Sequence, residues 1–339
     1  MPNPMIALGT AVSVGLLLVI FLWPERGLLP RWRRTTHLTE RVRSEDALKH
    51  IHKFEMNGRT PTLESISAGA LHTNQDDAAT LITAMQASHL LHVTNGEIHL
   101  TPQGRNSALH IIRAHRLWEQ YLAENTGFNQ ADWHGQAETF EHHLTPEQAD
   151  ALAMQLGNPT HDPHGDPIPT ADGKLVKHGG QPLTAFPLDT PGLIVHLEDE
   201  PPIVYAQLAA ESLHPGMIVR VTESDSTRVR FWTDGDEHIV APIVAGNISV
   251  VPLPEEAKEE LNGYERLTCL EPGETAVVVN IDGASRGAER RRFMDLGILP
   301  GTQITAEMRS PGGDPTAYII RGALIALRKE QASLIKVRK

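Results

Sequence analysis

Glu138, Glu141 and His142 stand at i, i+3 and i+4 in the stretch from His134 to His143. On an α-helix that spacing sets the three side chains on one face, a turn apart. Two carboxylates and an imidazole converging on one point suit a divalent first-row ion with mixed oxygen and nitrogen preference, such as Mn(II) or Fe(II). A second pair, His115 and Glu119, lies at i, i+4 on the long helical segment from about Gly104 through Glu124. Glu and His are also ordinary solvated helix surface, so the surrounding elements decide between the readings.

The 339 residues suffice for two or more domains with separate cores. A formal charge of -12 makes the chain as a whole a poor polyanion binder. The single cysteine, Cys269, excludes an internal disulfide and any multi-cysteine zinc site. Aromatic residues at 5% leave little for base stacking. No G-x-x-x-x-G-K phosphate loop and no G-x-S-x-G nucleophile elbow occurs, so an enzyme is not expected.

Met5 to Trp23 runs nineteen residues without a charge, long enough to span a bilayer. No basic segment precedes it, as a cleaved signal would need. Arg26, Arg31, Arg33 and Arg34 follow it, and Trp23 and Trp32 suit the interfacial belts. The expectation is a transmembrane anchor with its basic flank over 1–34, single-pass in the cytoplasmic membrane, all later domains being cytoplasmic.

Residues 43–104 read as a winged helix-turn-helix. Ser44 caps a helix carrying Asp46, Leu48, Ile51 and Phe54 at helical spacing, and Gly58 closes it. Thr60-Pro61 opens a second helix and Thr73 caps a third. Val93 to Thr101 holds Asn95-Gly96 between alternating apolar residues, a hairpin signal and hence a wing. Its charge argues against DNA: no Lys or Arg lies between Arg59 and Arg105, while Glu64, Asp76, Asp77 and Glu97 are acidic. Asn74 and Gln75, before the acidic pair, are the candidates for contact with adenine edges. Residues 105–170 then supply the long helix, a helix from Trp133 to about His143, and a Thr145-capped helix with Ala149, Leu152, Ala153 and Leu156 on its apolar face. Together they make a dimerisation and ligand core.

His115-Arg-Leu-Trp-Glu119, Glu138-Thr-Phe-Glu141-His142-His143 and Asp162-Pro-His-Gly-Asp-Pro-Ile-Pro169, in this order and spacing, resemble the metal-dependent diphtheria-toxin-repressor/MntR family of regulators. The resemblance covers about Arg43 to Pro169. It implies a winged helix, a dimerisation helix pair, a metal site between them and often a following SH3-like domain. Position by position it implies Asp46, Glu138, Glu141 and His142 as ligands, with His115 matching a ligand of both family branches. Glu119 and His134 match the ancillary site of the iron-type branch. Carboxylates at Asp46 and Glu138 resemble the manganese-type branch, although Lys49 replaces that branch's second carboxylate on the first helix. The strap from Asp162 to Pro169 reads as a proline-stiffened exit, with His161 and His164 solvated.

From about Pro187 the pattern turns to short strands in two similar copies, over 187–253 and 264–339. Each places a short helix before Pro-Gly (Pro215-Gly216, Pro300-Gly301) and strands around it. Both read as small SH3-like barrels. Leu270-Glu-Pro-Gly273, the run Phe293 to Gly301, Gly313-Asp-Pro315 and the run Arg321 to Arg328 resemble the FeoA family, small adaptor domains linked to ferrous-iron uptake and metalloregulators. In the first copy Pro201 and Val204 fall near the ancillary-ligand positions that the resemblance implies, with Glu198, Asp199 and Glu200 beside them as candidate substitutes. Arg290, Arg291 and Arg292 form the densest positive patch after the N-terminal flank, suited to a solvated face, an acidic partner or lipid headgroups.

The expected fold is therefore multidomain α+β: transmembrane helix, winged helix, helical metal-binding and dimerisation core, and two SH3-like barrels. The expected function is a membrane-tethered, homodimeric sensor of Mn(II) or Fe(II) that acts through protein contacts, for instance on a metal transporter. A DNA-binding regulator and a FeoA-type adaptor with a decayed site are the alternatives.

Overall fold

The computed structural model describes residues 28–176, 179–233, 235–253 and 264–339. It divides into two units that meet inside one helix, between Ile112 and Arg113. Helix α1 (Leu28–Met56) leads the first unit. It runs through Ser44 without a break, and the Ser44 hydroxyl donates back to the Glu40 carbonyl at 2.9 Å instead of capping a helix start. Helix α2 (Leu63–Gly69) begins at Thr62, whose side chain forms a reciprocal capping box with Ser65. Helix α3 (Gln75–Ala87) is capped by Asn74, one residue after the expected Thr73. The hairpin of β1 (Leu91–Thr94) and β2 (Glu97–Leu100) turns at Asn95 and Gly96, both at positive φ, as a two-residue primed turn requires. Leu48, Ile51, Ile66, Ile82, Met85, Leu91 and Ile98 close the core of this winged helix.

No helix among the described residues is long and apolar enough to cross a membrane. The 29-residue α1 has the length but carries Arg, Glu, Asp and Lys along its whole run, each costing about 2.5–3.5 kcal/mol at a bilayer centre. The Met5–Trp23 run lies outside the described residues. The transmembrane helix in the expected fold class, and the single-pass membrane location built on it, are corrected accordingly.

Helix α4 (Pro102–Asn125) carries the chain into the second unit, where α5 (Trp133–Phe140) and α6 (Pro146–Gln155) pack on its later turns. Leu117, Ala149, Leu152, Ala153 and Ile168 form that core, and Trp118 stacks on Phe140 with ring centroids 3.7 Å apart. Helix α6 starts from a Thr145–Gln148 capping box. The expected single helix from Trp133 to His143 is divided: α-geometry stops at Phe140 and a 3-10 turn follows over Glu141–His143.

Two six-stranded antiparallel sheets complete the unit. The first has the order β3-β8-β4-β5-β6-β7, from β3 (Gln181–Pro182) through β4 (Pro191–Leu197), β5 (Ile218–Ser224), β6 (Val229–Thr233) and β7 (Asp236–Val240) to β8 (Ile248–Pro252). The second repeats this order with β9 (Glu265–Arg266), β10 (Thr275–Ile281), β11 (Gln303–Arg309), β12 (Thr316–Ile320), β13 (Ala323–Leu327) and β14 (Ile335–Arg338). Register shifts fall at matching places, Ile194/His196 with Val278/Asn280 and Val221/Glu223 with Ala306/Met308. Such bulges bend a strand and let a small sheet curl round its core. The short helix expected in each copy is present, α7 (Pro202–Ala210) in the first and α8 (Gly287–Asp295) in the second.

Candidate metal centre

Glu119 is the hub of the second unit's polar chemistry. It sits on α4 one turn after His115, so the two side chains share a face, and Nε2 of His115 is 3.1 Å from Oε1 of Glu119. From α5, Nδ1 of His134 comes within 3.3 Å of the same oxygen and 3.2 Å of His115 Nε2. The loop after β4 brings Asp199, whose Oδ2 is 2.7 Å from His134 Nδ1. His115, Glu119, His134 and Asp199 thus offer four ligand atoms that all lie within 4.8 Å of one another.

A second cluster shares Glu119. His164 and Asp162 are both buried beside it, and with Glu119 they form another group of ligand atoms within that spacing. His164 Nδ1 lies 3.6 Å from Glu119 Oε2, beyond hydrogen-bond reach. Among the described residues neither ring nitrogen of His164 has a hydrogen-bond partner, nor does Oδ2 of Asp162. The expectation of a solvated His164 is therefore corrected, while His161 is exposed as expected. The strap is held inward from α4: Arg113 donates to the Pro169 carbonyl at 2.6 Å, and Arg116 to the Pro167 carbonyl at 2.5 Å and to Asp166 at 3.0 Å. From β4 of the first sheet the Leu197 amide donates to the His164 carbonyl at 2.8 Å.

Gly165 makes that approach possible. Its φ is +93°, and a Cβ there would lie 2.0 Å from the Val195 carbonyl oxygen. Gly165→Ala is expected to destabilise the fold by about 3 kcal/mol, since both the backbone conformation and the contact resist it. A lower urea midpoint with an unchanged slope would register this.

Electrostatics follow from packing three carboxylates against three imidazoles. Burial pushes the Glu119 carboxyl up, but His115 and His164, with hydrogen bonds from His115 and His134, outweigh it and hold the group well below the usual range. Burial disfavours a charged His134, yet hydrogen bonds to Asp199, Glu119 and Glu138 outweigh this and raise it to about 12. His164 rises to about 9, since nearby Glu119, Asp162 and Asp199 overcome its burial. Asp162 moves the other way, well above its ordinary value, through burial and the charges of Asp166 and Glu119.

The opening trio fares differently. Glu141 and His142 are buried, with His142 Nε2 3.7 Å from Glu141 Oε1, and the other oxygen of Glu141 bonds His115 Nδ1. Glu138 is exposed and groups with His134 and Glu200. Glu138 stands one helical turn from His134 on α5, and among the described residues it groups with His134 and Glu200 rather than with Glu141 and His142, which follow on the 3-10 turn. Asp46 lies half-buried on α1 in the first unit. The structure thus brings His115, Glu119 and His134 together, adds Asp199 from the acidic run 198–200, and adds Asp162 and His164, which the sequence reading set aside.

Residues 101–170 match the family of iron dependent repressor, metal binding and dimerisation domains, and residues 265–339 match the FeoA domain. The chain thus resembles the diphtheria-toxin-repressor/MntR regulators over its helical core and carries a FeoA domain at 265–339. It is 28% identical over 218 residues to the iron-dependent repressor IdeR of Mycobacterium leprae, covering 59% of this chain and 92% of that one. It is 30% identical over 127 residues to the diphtheria toxin repressor of Corynebacterium efficiens, covering 37% and 55%. Among solved structures, a manganese-dependent transcriptional repressor in complex with manganese superposes with a TM-score of 0.57 at 25% identity, covering 62% of this chain and all of that one. The repressor-like part thus reaches past the helical core, and the FeoA domain follows it.

Proposed function

We propose that the protein is a divalent-metal-responsive regulator whose ion, Mn(II) or Fe(II), is held by Glu119, His115 Nε2, His134 Nδ1 and Asp199, with His164 and Asp162 behind them. The observation that carries this is the buried Glu119 among three imidazoles, one of which, His164, has no hydrogen bond to either ring nitrogen among the described residues. Fixed protein partners normally satisfy buried polar groups, and a cation would satisfy this set at once. Three carboxylates and three imidazoles without thiolate favour Mn(II) or Fe(II) over softer ions. Glu141 supports the assignment, because its bond to His115 Nδ1 fixes the ring with Nε2 aimed at Glu119 and His134, the carboxylate–histidine orientation that a metal-bound imidazole uses. Bound metal supplies charge that ties α4, α5, the strap and the first barrel together, biasing one packing of a homodimer over another. Asp46, Glu138, Glu141 and His142 enter as a second ligand set through the sequence resemblance alone. Metal content after native purification, with a Mn(II) titration of the full chain, tests the reading; a chain that binds no Mn(II) ends it.

For the output, contact with a protein partner is favoured over DNA. Asn74, one of the two candidate base contacts, is committed: its side chain accepts from the Asp77 amide at 2.8 Å and donates to the Asp77 carboxylate at 3.2 Å. Arg105 is paired with Glu55 at 2.7 Å, and Asp76 and Asp77 occupy the first turn of α3. Repression on DNA is the second reading, favoured by the relatives' designation as repressors. In electrophoretic titrations against the upstream regions of metal-uptake genes, with and without Mn(II), weak binding without metal dependence is expected. Tight, metal-dependent and salt-sensitive binding would reverse the order of the two readings.

A further inference from the structure

Three groups of potential ligands lie in series and share members: His134 with Glu138 and Glu200, then His134 with His115, Glu119 and Asp199, then Glu119 with Asp162 and His164. Side-chain exposure falls along the series, from 56% at Glu138 and 46% at Glu200, through 19% at His134 and 12% at Asp199, to 1% at Glu119 and His164. Each shared residue presents a different atom to each neighbour. His134 turns Nδ1 to the inner groups, while its Nε2 lies 3.5 Å from Glu138 Oε1 and 3.7 Å from Glu200 Oε1. Glu119 turns Oε1 to His115 and His134, and Oε2 to His164.

We infer that His134 Nε2, Glu138 and Glu200 form an outer loading site for divalent cations, from which the ion passes inward across the His134 ring to the buried centre. The inference rests on the reading of that centre as a metal site. A hydrated cation meets two solvated carboxylates first, exchanges some of its water for them, and keeps protein ligands at every stage because each group overlaps the next. Two exposed carboxylates in front of Asp199 and Glu119 also concentrate cations at the opening, an effect on association rate that added salt screens. Glu138 then has a role at the mouth of this series, which its position on α5 before the 3-10 turn provides.

Glu200→Gln in the full chain is the test, since Glu200 is exposed and lies outside both ligand sets proposed above. Mn(II) association is followed by stopped flow with a chelating indicator, and release by mixing loaded protein with excess EDTA. Glu119→Gln identifies the kinetic phase that belongs to the buried centre. Association and release in that phase are both expected to slow by about tenfold at low salt, the equilibrium constant staying within about twofold because only the path is altered. Glu200→Asp is expected to restore the rates. Unchanged rates overturn the loading site, and so does weaker equilibrium binding with unchanged association, which would make Glu200 a partner of His134 in the loaded state. If no phase is lost in Glu119→Gln, the buried centre itself fails, a result separate from the other two.

Discussion

Glu119→Gln is expected to lower Mn(II) affinity at the buried centre by about 100-fold or more and to destabilise the metal-free protein at neutral pH. The change keeps the side chain's shape and removes its charge. Both oxygens are in use, Oε1 against His115 and His134 and Oε2 facing His164. In the metal-free state His134 and His164 hold protons at pH 7, so the variant leaves two largely buried cations short of their shared counter-charge. Removing one partner of a buried ion pair typically costs about 3–5 kcal/mol, and the same missing charge weakens the metal by a comparable factor. Glu138→Gln, on an exposed carboxylate, should leave the unfolding midpoint within about 0.5 kcal/mol of wild type. Calorimetric Mn(II) titration and thermal melts of both variants make the comparison. Wild-type affinity in Glu119→Gln would place the ion elsewhere.

Much of this fold is readable from local pattern. Thr145 with Gln148, Asn95-Gly96 in the wing, and Pro-Gly after a short helix in each barrel are short-range signals, and each sits where its geometry demands. Helix starts were less legible where two polar residues compete. Asn74 wins over Thr73 because its carboxamide reaches the Asp77 amide, and Ser44 loses its cap because α1 continues upstream of it. His115 and Glu119 follow from spacing together with a family resemblance, and His134 from the resemblance alone. The sequence offers Glu198, Asp199 and Glu200 alike, since the choice among them depends on how the first sheet packs on α5.

Asp162 and His164 show where sequence reasoning stops. Between two prolines and a glycine they look like exposed turn residues, and the pattern carries no apolar periodicity to signal burial. What buries them is tertiary: Arg113 and Arg116 reach from α4 to carbonyls of the strap, and Gly165 admits the Val195 carbonyl. Glu138 errs the other way. A regular helix sets it one turn from His134 as readily as from Glu141 and His142, and in the fold it lies beside His134 and Glu200.

The steepest dependence expected of this centre is on pH. His134 is held to about 12 and His164 to about 9, above the ordinary histidine value of 6.5. A raised folded-state value means that the protonated ring is the form the fold stabilises. That contribution is fully present below pH 6.5 and is lost as pH rises through about 9 for His164 and about 12 for His134. A metal ion needs the lone pairs those protons occupy, so metal and protons compete. Between pH 6.5 and 9 about two protons should leave for each ion bound, making Mn(II) affinity about 100-fold weaker for each unit of acidification. Above about pH 9 His164 is already deprotonated, and the dependence should fall to about tenfold per unit. Calorimetric titrations in buffers of different ionisation enthalpy count these protons directly, and an affinity that is flat between pH 7 and 8 would rule out both rings as ligands. The two histidines therefore pull the two states apart: their protons stabilise the metal-free fold toward lower pH, and their loss favours the loaded one as pH rises.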